Sequence, residues 1–215
     1  MIEIQNEWLS DIPTHWKILK FKHIFKFEKE VSYNPNPTIL SLTLRGIQIR
    51  DTSNNEGQLA ASYEEYALVK PGNFVLNPMD LISGSVAISP YEGVASNAYF
   101  IFSIKERKDG LQLNARYFEY LFWSHYRQGI FFPFGKGLGR PEQGGGRWTL
   151  NRETLSDFPI PVPPIDEQNL IVEKLDGEFA RIAEQLVLLE KMTEAISKEK
   201  LSIAVQELYK KKVGN

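Results

Sequence analysis

The last quarter of the chain constrains the rest. Proline recurs at positions 159, 161, 163 and 164 and then not again before Asn215. Proline fixes φ and has no backbone N–H, so alternating prolines hold a segment extended. The segment that follows, from about residue 166 to 209, predicts one helix roughly 65 Å long at ~1.5 Å per residue. Asp166 is placed to act as N-cap, with Glu167 in the first turn, where the helix dipole favours negative charge. Leu175, Phe179, Ile182, Leu186, Leu189 and Ile196 follow the 3–4 spacing of a heptad seam, with Thr193 on the seam between the last two. Beyond Ile196 the stripe shifts to Leu201, Val205 and Leu208, an offset that alters supercoiling without ending a helix. Gly177 is a weak point, ~1 kcal/mol worse than alanine in a helix interior, and is expected where the helix leaves its domain. A helix of this length reads as a pairing element, and these nine apolar residues as its dimerisation seam. The alternative is a helix folded back on its own domain.

Three segments follow: a globular domain over 1–158, a Pro-rich strap over 159–165 and a long helix over 166–212. The chain has no cysteine, which excludes disulfides and thiolate metal sites. The first ten residues carry no secretory apolar region. No stretch of ~18 apolar residues predicts a membrane span, and the expected location is cytoplasmic. The net charge is −2, and all of it falls in the tail, because the first 160 residues are balanced. Free-standing nucleic-acid-binding domains are usually basic, so a solo DNA-binding activity is disfavoured.

Within the domain, residues 38–44, 47–50, 66–70, 73–76, 81–88 and 98–104 read as short strands separated by turns such as Arg45-Gly46 and Pro71-Gly72. A helix is expected over 114–126. Residues 20–27 read as either a short helix or a strand. The expected fold class is α+β: a β-rich, partly barrel-like or sandwich domain followed by a long coiled-coil-forming helix. Lys17, Lys20, Lys22, Lys26 and Lys29 read as a solvated basic face. His15 and His23 lack acidic or histidine neighbours at ligand spacing, so no metal role is expected.

Asn77-Pro78-Met79-Asp80 is similar to the catalytic tetrapeptide of amino-group DNA methyltransferases, Asn/Asp-Pro-Pro-aromatic. The third and fourth positions depart from it, and no Gly-rich cofactor loop accompanies it. The segment therefore reads as a turn. No Ser/His/Asp set or phosphate-binding loop stands elsewhere, and the chain is not expected to be an enzyme. The stretch from Gly135 to Gly146 holds six glycines in twelve residues. Glycine leaves the backbone free to approach a ligand closely, and a loop this long inside a compact domain tends to be functional. Lys136, Arg140, Gln143 and Arg147 lie in or beside it, and Arg45, Gln48 and Arg50 form a second group. Arginine pairs with guanine and glutamine with adenine in bidentate fashion, so these seven are the candidate DNA contacts.

The run from Leu155 to Gln168, with Pro163-Pro164-Ile165-Asp166-Glu167-Gln168 at its end, resembles the junction between recognition domain and helix in specificity subunits of type I restriction-modification systems. The opening Ile12-Pro13-Thr14-His15-Trp16-Lys17 is also similar to the start of such subunits, as are Lys70-Pro71-Gly72 and Ser83-Gly84-Ser85. The resemblance implies a non-catalytic DNA-recognition subunit. A full subunit of that family carries two such units, whose helices pack antiparallel and hold two recognition domains apart. One unit implies one half-site, with a homodimer rebuilding a reader of a bipartite double-stranded DNA target. Implied partners are methyltransferase subunits, which bind S-adenosylmethionine and modify adenine, and a restriction subunit. No cofactor is expected in this chain. The competing reading is a coiled-coil adaptor without DNA binding.

Overall fold

The structure is a computed structural model and describes residues 8–50, 63, 65–81, 84–137 and 148–213. Side chains of the C-terminal helix are described as far as residue 201, and at Ile203. The chain divides into two compact units, Met1–Asn169 and Leu170–Asn215.

The first unit is built on a four-stranded antiparallel sheet of β2 (Phe25–Phe27), β9 (Phe100–Ile104), β6 (Phe74–Leu76) and β7 (Val86–Ile88), in that spatial order. Side chains alternate across a strand, and the register sorts the two faces by chemistry. Phe74 pairs with Phe102, and Phe27 also pairs with Phe102, which gathers rings on one face. Val75 pairs with Ile101 and with Ala87 on the other face. The aromatic face packs against α2 (Ala115–Arg127) through Phe118 and Phe122. Phe25, Phe74, Phe102, Phe118 and Phe122 are all buried. The aliphatic face packs on Leu40, Ile47, Val69 and Ala95. These come from two antiparallel pairs: the hairpin of β3 (Leu40–Thr43) with β4 (Gly46–Ile49), and β5 (Ala67–Val69) with β8 (Gly93–Ala95).

The α2 helix starts where expected, because the Asn114 side chain accepts from the backbone N–H groups of Arg116 and Tyr117. It stops before Gly129, whose φ of 68° suits glycine. Its Glu119 accepts from the Ile88 N–H at 2.8 Å, so a helix carboxylate caps the edge of β7.

Several sequence expectations change in detail. Residues 20–27 form both alternatives in succession, α1 (Phe21–Ile24) and then β2. The β-structure is an open sheet flanked by two-stranded pairs among the described residues, with no closed barrel. Pro159 and Pro161 of the strap lie in β12 (Pro159–Val162), which pairs antiparallel with β1 (Lys17–Lys20). A short helix, α3 (Arg152–Asp157), precedes β12, and the last helix, α4, runs from Ile165 to Val213. The Pro164 carbonyl accepts from the Gln168 N–H at 3.0 Å, which makes Pro164 the cap and puts Asp166 inside the first turn. Gly177 lies well inside α4, eight residues past the boundary of the first unit at Asn169. Lys20 and Lys22 both bind Asp157, at 3.1 and 2.8 Å, and Lys26 lies 3.4 Å from Glu28. That pairing suits a solvated face.

Candidate nucleic-acid interface

Two exposed β-ribbons carry the described members of the predicted contact set. The first is the β3–β4 hairpin. Its connection is Leu44-Arg45, closed by a Thr43 hydroxyl that accepts from the Arg45 N–H and donates to the Gly46 carbonyl. Gly46 has φ 96°, a conformation that favours glycine. Ser41 lies opposite Gln48 in the register. The Arg50 N–H donates to Ile39 at 2.8 Å, which extends the pairing by one step. Strand alternation therefore puts Ser41, Gln48 and Arg50 on the outer face, with Arg45 at the tip, while Ile47 is buried on the inner face. Leu44 stands beside Arg45 and is 63% exposed.

The second ribbon is β10 (Lys136–Gly137) with β11 (Trp148–Thr149). The glycine-rich stretch is the connection between these two strands. Lys136 lies opposite Thr149 and is exposed. Arg140, Gln143 and Arg147 lie outside the described residues. The foot of the ribbon is held in three places. Phe132 and Trp148 have ring centroids 4.3 Å apart, the Leu81 N–H donates to Trp148, and the Leu150 N–H donates to Pro78.

Both ribbons lean on the β6–β7 hairpin. Gly46 faces Ala87, where an added Cβ would lie 4.0 Å from the alanine methyl. The Asn77–Leu81 turn holds the foot of the second ribbon. That turn is itself packed tightly. The Asn77 side chain accepts from the Met79 N–H at 3.0 Å, the Tyr126 hydroxyl donates to the Asn77 carbonyl, and a Cβ on Gly84 would meet the Asp80 carbonyl at 2.0 Å. The Asn77 amide oxygen is thus occupied in an Asx-type turn, as the turn reading of Asn77-Pro78 requires.

A second constellation joins the two ends of this unit. Glu167, in the first turn of α4, accepts from Trp16 Nε1 at 2.9 Å and lies 2.7 Å from His15 Nε2. These bonds hold the Glu167 carboxyl below the usual carboxylate range. Gln168 is fully buried and satisfied on both ends of its amide. Its oxygen accepts from the Asn114 N–H at 2.8 Å, and its nitrogen donates to Pro163 at 2.9 Å and to Gln112 at 3.4 Å. Asn114 reaches on to Asn169 at 2.8 Å. Sequence reasoning placed Glu167 only in the first turn of the helix and gave none of these contacts. Their only signal was that both segments carried the family resemblance.

In the second unit, Phe179, Ile182, Leu186, Leu189, Ile196 and Leu201 are exposed, from 40% at Phe179 to 67% at Leu201, and Leu175 is half-buried. Ile203 falls one heptad after Ile196 and is also exposed. Thr193 satisfies its hydroxyl on the Leu189 carbonyl at 2.8 Å, which suits a seam position. The side chains of Val205 and Leu208 lie outside the described ones. Among the described residues, no group of three or more His, Asp or Glu could hold a metal ion, and no helix is long and apolar enough to cross a membrane.

An α+β unit with two outward ribbons is followed by a long helix. The family of the type I restriction modification DNA specificity domain matches residues 13–211, and the chain belongs to that family. Among solved structures, the type I restriction-modification S subunit from M. genitalium shares the fold, with a TM-score of 0.50 at 13% identity over 84% of this chain. A structure of a type I R-M system, solved for complex assembly and conformational transition, gives 0.47 at 12% identity over 85% of this chain. The HsdS subunit from Thermoanaerobacter tengcongensis gives 0.42 at 15% identity, again over 85%. The chain spans 43–44% of the length of these proteins. No curated protein matches it.

Proposed function

We propose that this chain reads DNA sequence for a type I restriction-modification complex and performs no chemistry itself. Membership of the specificity-domain family carries the reading, and the β3–β4 ribbon gives it a physical form. A two-stranded ribbon fits the B-DNA major groove. Gln48 has the amide geometry to pair with adenine, Arg45 and Arg50 can pair with guanine or a phosphate, and Leu44 can meet a thymine methyl. The glycine-rich ribbon, with Lys136, Arg140, Gln143 and Arg147, is the second reading element. The domain reads one half-site. The uncovered seam of α4 pairs with the same helix of a second copy, so that two domains read a bipartite target. A two-fold dimer demands a palindromic interrupted site, because site symmetry mirrors protein symmetry. The charge-balanced domain gains phosphate contacts from methyltransferase subunits that bring S-adenosylmethionine and modify adenine. A restriction subunit completes the complex, which acts in the cytoplasm.

Co-purification with a methyltransferase encoded beside it, followed by mapping of methylated adenines, tests the reading. The expected outcome is a single bipartite palindromic motif. An asymmetric motif would overturn homodimerisation, and the absence of any motif would overturn the recognition function and leave the adaptor reading in its place.

A further inference from the structure

We infer that Arg152 and the cleft beside it form a docking site for one phosphodiester of the DNA backbone. The inference rests on the reading of the chain as a DNA-recognition subunit. The Arg152 guanidinium carbon lies over two rings, 5.2 Å from the Phe27 centroid and 5.4 Å from that of Phe100. These rings belong to β2 and β9, and their own centroids are 5.5 Å apart. Stacking of this kind restrains the guanidinium through its flat faces and leaves its N–H donors free at the rim, in the planar fork that matches phosphate.

No ion pair of Arg152 occurs among the described residues, in contrast to several other basic residues of the unit. Lys20 and Lys22 share Asp157, Lys70 binds Glu30, and Arg107 binds Asp109. Arg152 lines a cleft of about 220 Å³ together with Lys29, Asn97 and Tyr99. Glu28 and Glu30 also line it, but both carboxylates are already engaged. Glu28 accepts from the Ser103 hydroxyl at 2.5 Å and lies 3.4 Å from Lys26, while Glu30 accepts from Lys70 at 2.6 Å. Lys29 and Arg152 line the cleft with these two carboxylates, Lys26 and Lys70 bind the carboxylates from outside it, and the Tyr99 hydroxyl can add a neutral donor. The location fits a backbone contact. Arg152 follows Trp148 by four residues, with Leu150 between them tied to Pro78. It therefore stands at the foot of the β10–β11 ribbon, where a strand of DNA entered by that ribbon would pass.

The test measures binding of the full chain, with its methyltransferase present, to a pool of random-sequence duplexes across a salt series. Each neutralised phosphate contributes about −0.9 to the slope of log K against log salt. R152Q is expected to make that slope shallower by about 0.9 and to weaken binding about tenfold near ~0.1 M salt. R152K is expected to keep the slope and lose part of the affinity, because it retains charge without the planar fork. An unchanged R152Q slope, with wild-type binding intact, overturns the site alone. Absence of salt-dependent binding by the wild-type complex overturns the DNA-recognition reading and the site with it. A structural defect at Arg152 lowers the active fraction without changing the slope, so the slope separates the two causes.

Discussion

His125 is the most informative single side chain for the stability of the recognition domain. It is 1% exposed and sits among the rings of Trp8, Phe131 and Phe158, at centroid distances of 4.8, 5.4 and 5.5 Å. Neither ring nitrogen has a hydrogen-bond partner among the described residues. Burial alone pulls its pKa from 6.5 down to about 3. Below pH 6.5 the unfolded chain binds this proton and the folded chain does not, so the unfolded state gains as the pH falls. The folded state's advantage is complete above pH 6.5 and is lost progressively toward pH 3. One proton corresponds to about 1.4 kcal/mol per pH unit, which makes the loss about 2 kcal/mol at ~pH 5. Carboxylates of the unfolded chain titrate near ~4, so the interval between pH 5 and 7 isolates histidine. Phenylalanine at this position keeps a ring in the cluster and removes two unpartnered nitrogens. In urea unfolding of the full chain, H125F is expected to match or exceed wild type at pH 5 and to show a pH 5–7 dependence weaker by about 2 kcal/mol. His15 and His23 contribute equally to both proteins and cancel in the difference. Identical pH dependences would refute the argument, because they would mean that the folded protein accepts this proton as readily as the unfolded one.

Two further outcomes follow from named contacts. Replacing Gln168 by alanine leaves the Asn114 N–H and the Pro163 carbonyl without their described side-chain partner; urea unfolding of the first unit should show a loss of about 2–3 kcal/mol, and an unchanged midpoint would mean that water replaces the amide at no cost. Replacing Ile182 and Leu189 together by aspartate puts two charges on the seam of α4; sedimentation should show a shift from dimer to monomer, and an unaltered oligomeric state would exclude that seam as the pairing surface.

Much of this architecture was legible in the sequence because its signals are local. Proline spacing and a 3–4 apolar repeat each act on neighbouring residues. They marked the proline-rich segment and α4. Strands β3 to β7 and β9 were legible as segments, β8, β10 and β11 were not, and no pairing was. Nothing in residues 17–20 announces pairing with residues 159–162, because that ladder depends on chain ends meeting in space. The acidic residue nearest His15 along the chain is Asp11, but Asp11 is not the carboxylate it meets. Its partner Glu167 is 152 residues away. At the candidate interface, residue chemistry nominated Arg45, Gln48 and Arg50, but only the hairpin register places Ser41, Gln48 and Arg50 on one outer face. Arg152 had no sequence signal, because its two ring contacts come from separate strands.

The sequence by itself determined the order of parts: a β-rich domain, a proline-rich segment and a long helix with an apolar seam. Periodicity and proline geometry are properties of consecutive residues, and no tertiary contact is needed to impose them. Only the tertiary structure decided how the strap is used. Pro159 and Pro161 lie in a strand paired with β1, Pro164 rather than Asp166 caps the helix, and Glu167 and Gln168 turn inward to bind the N-terminal segment and the start of α2. The physical reason is that a buried amide or a paired carboxylate is stable only where partners from distant parts of the chain converge, and that convergence is set by packing of the whole domain.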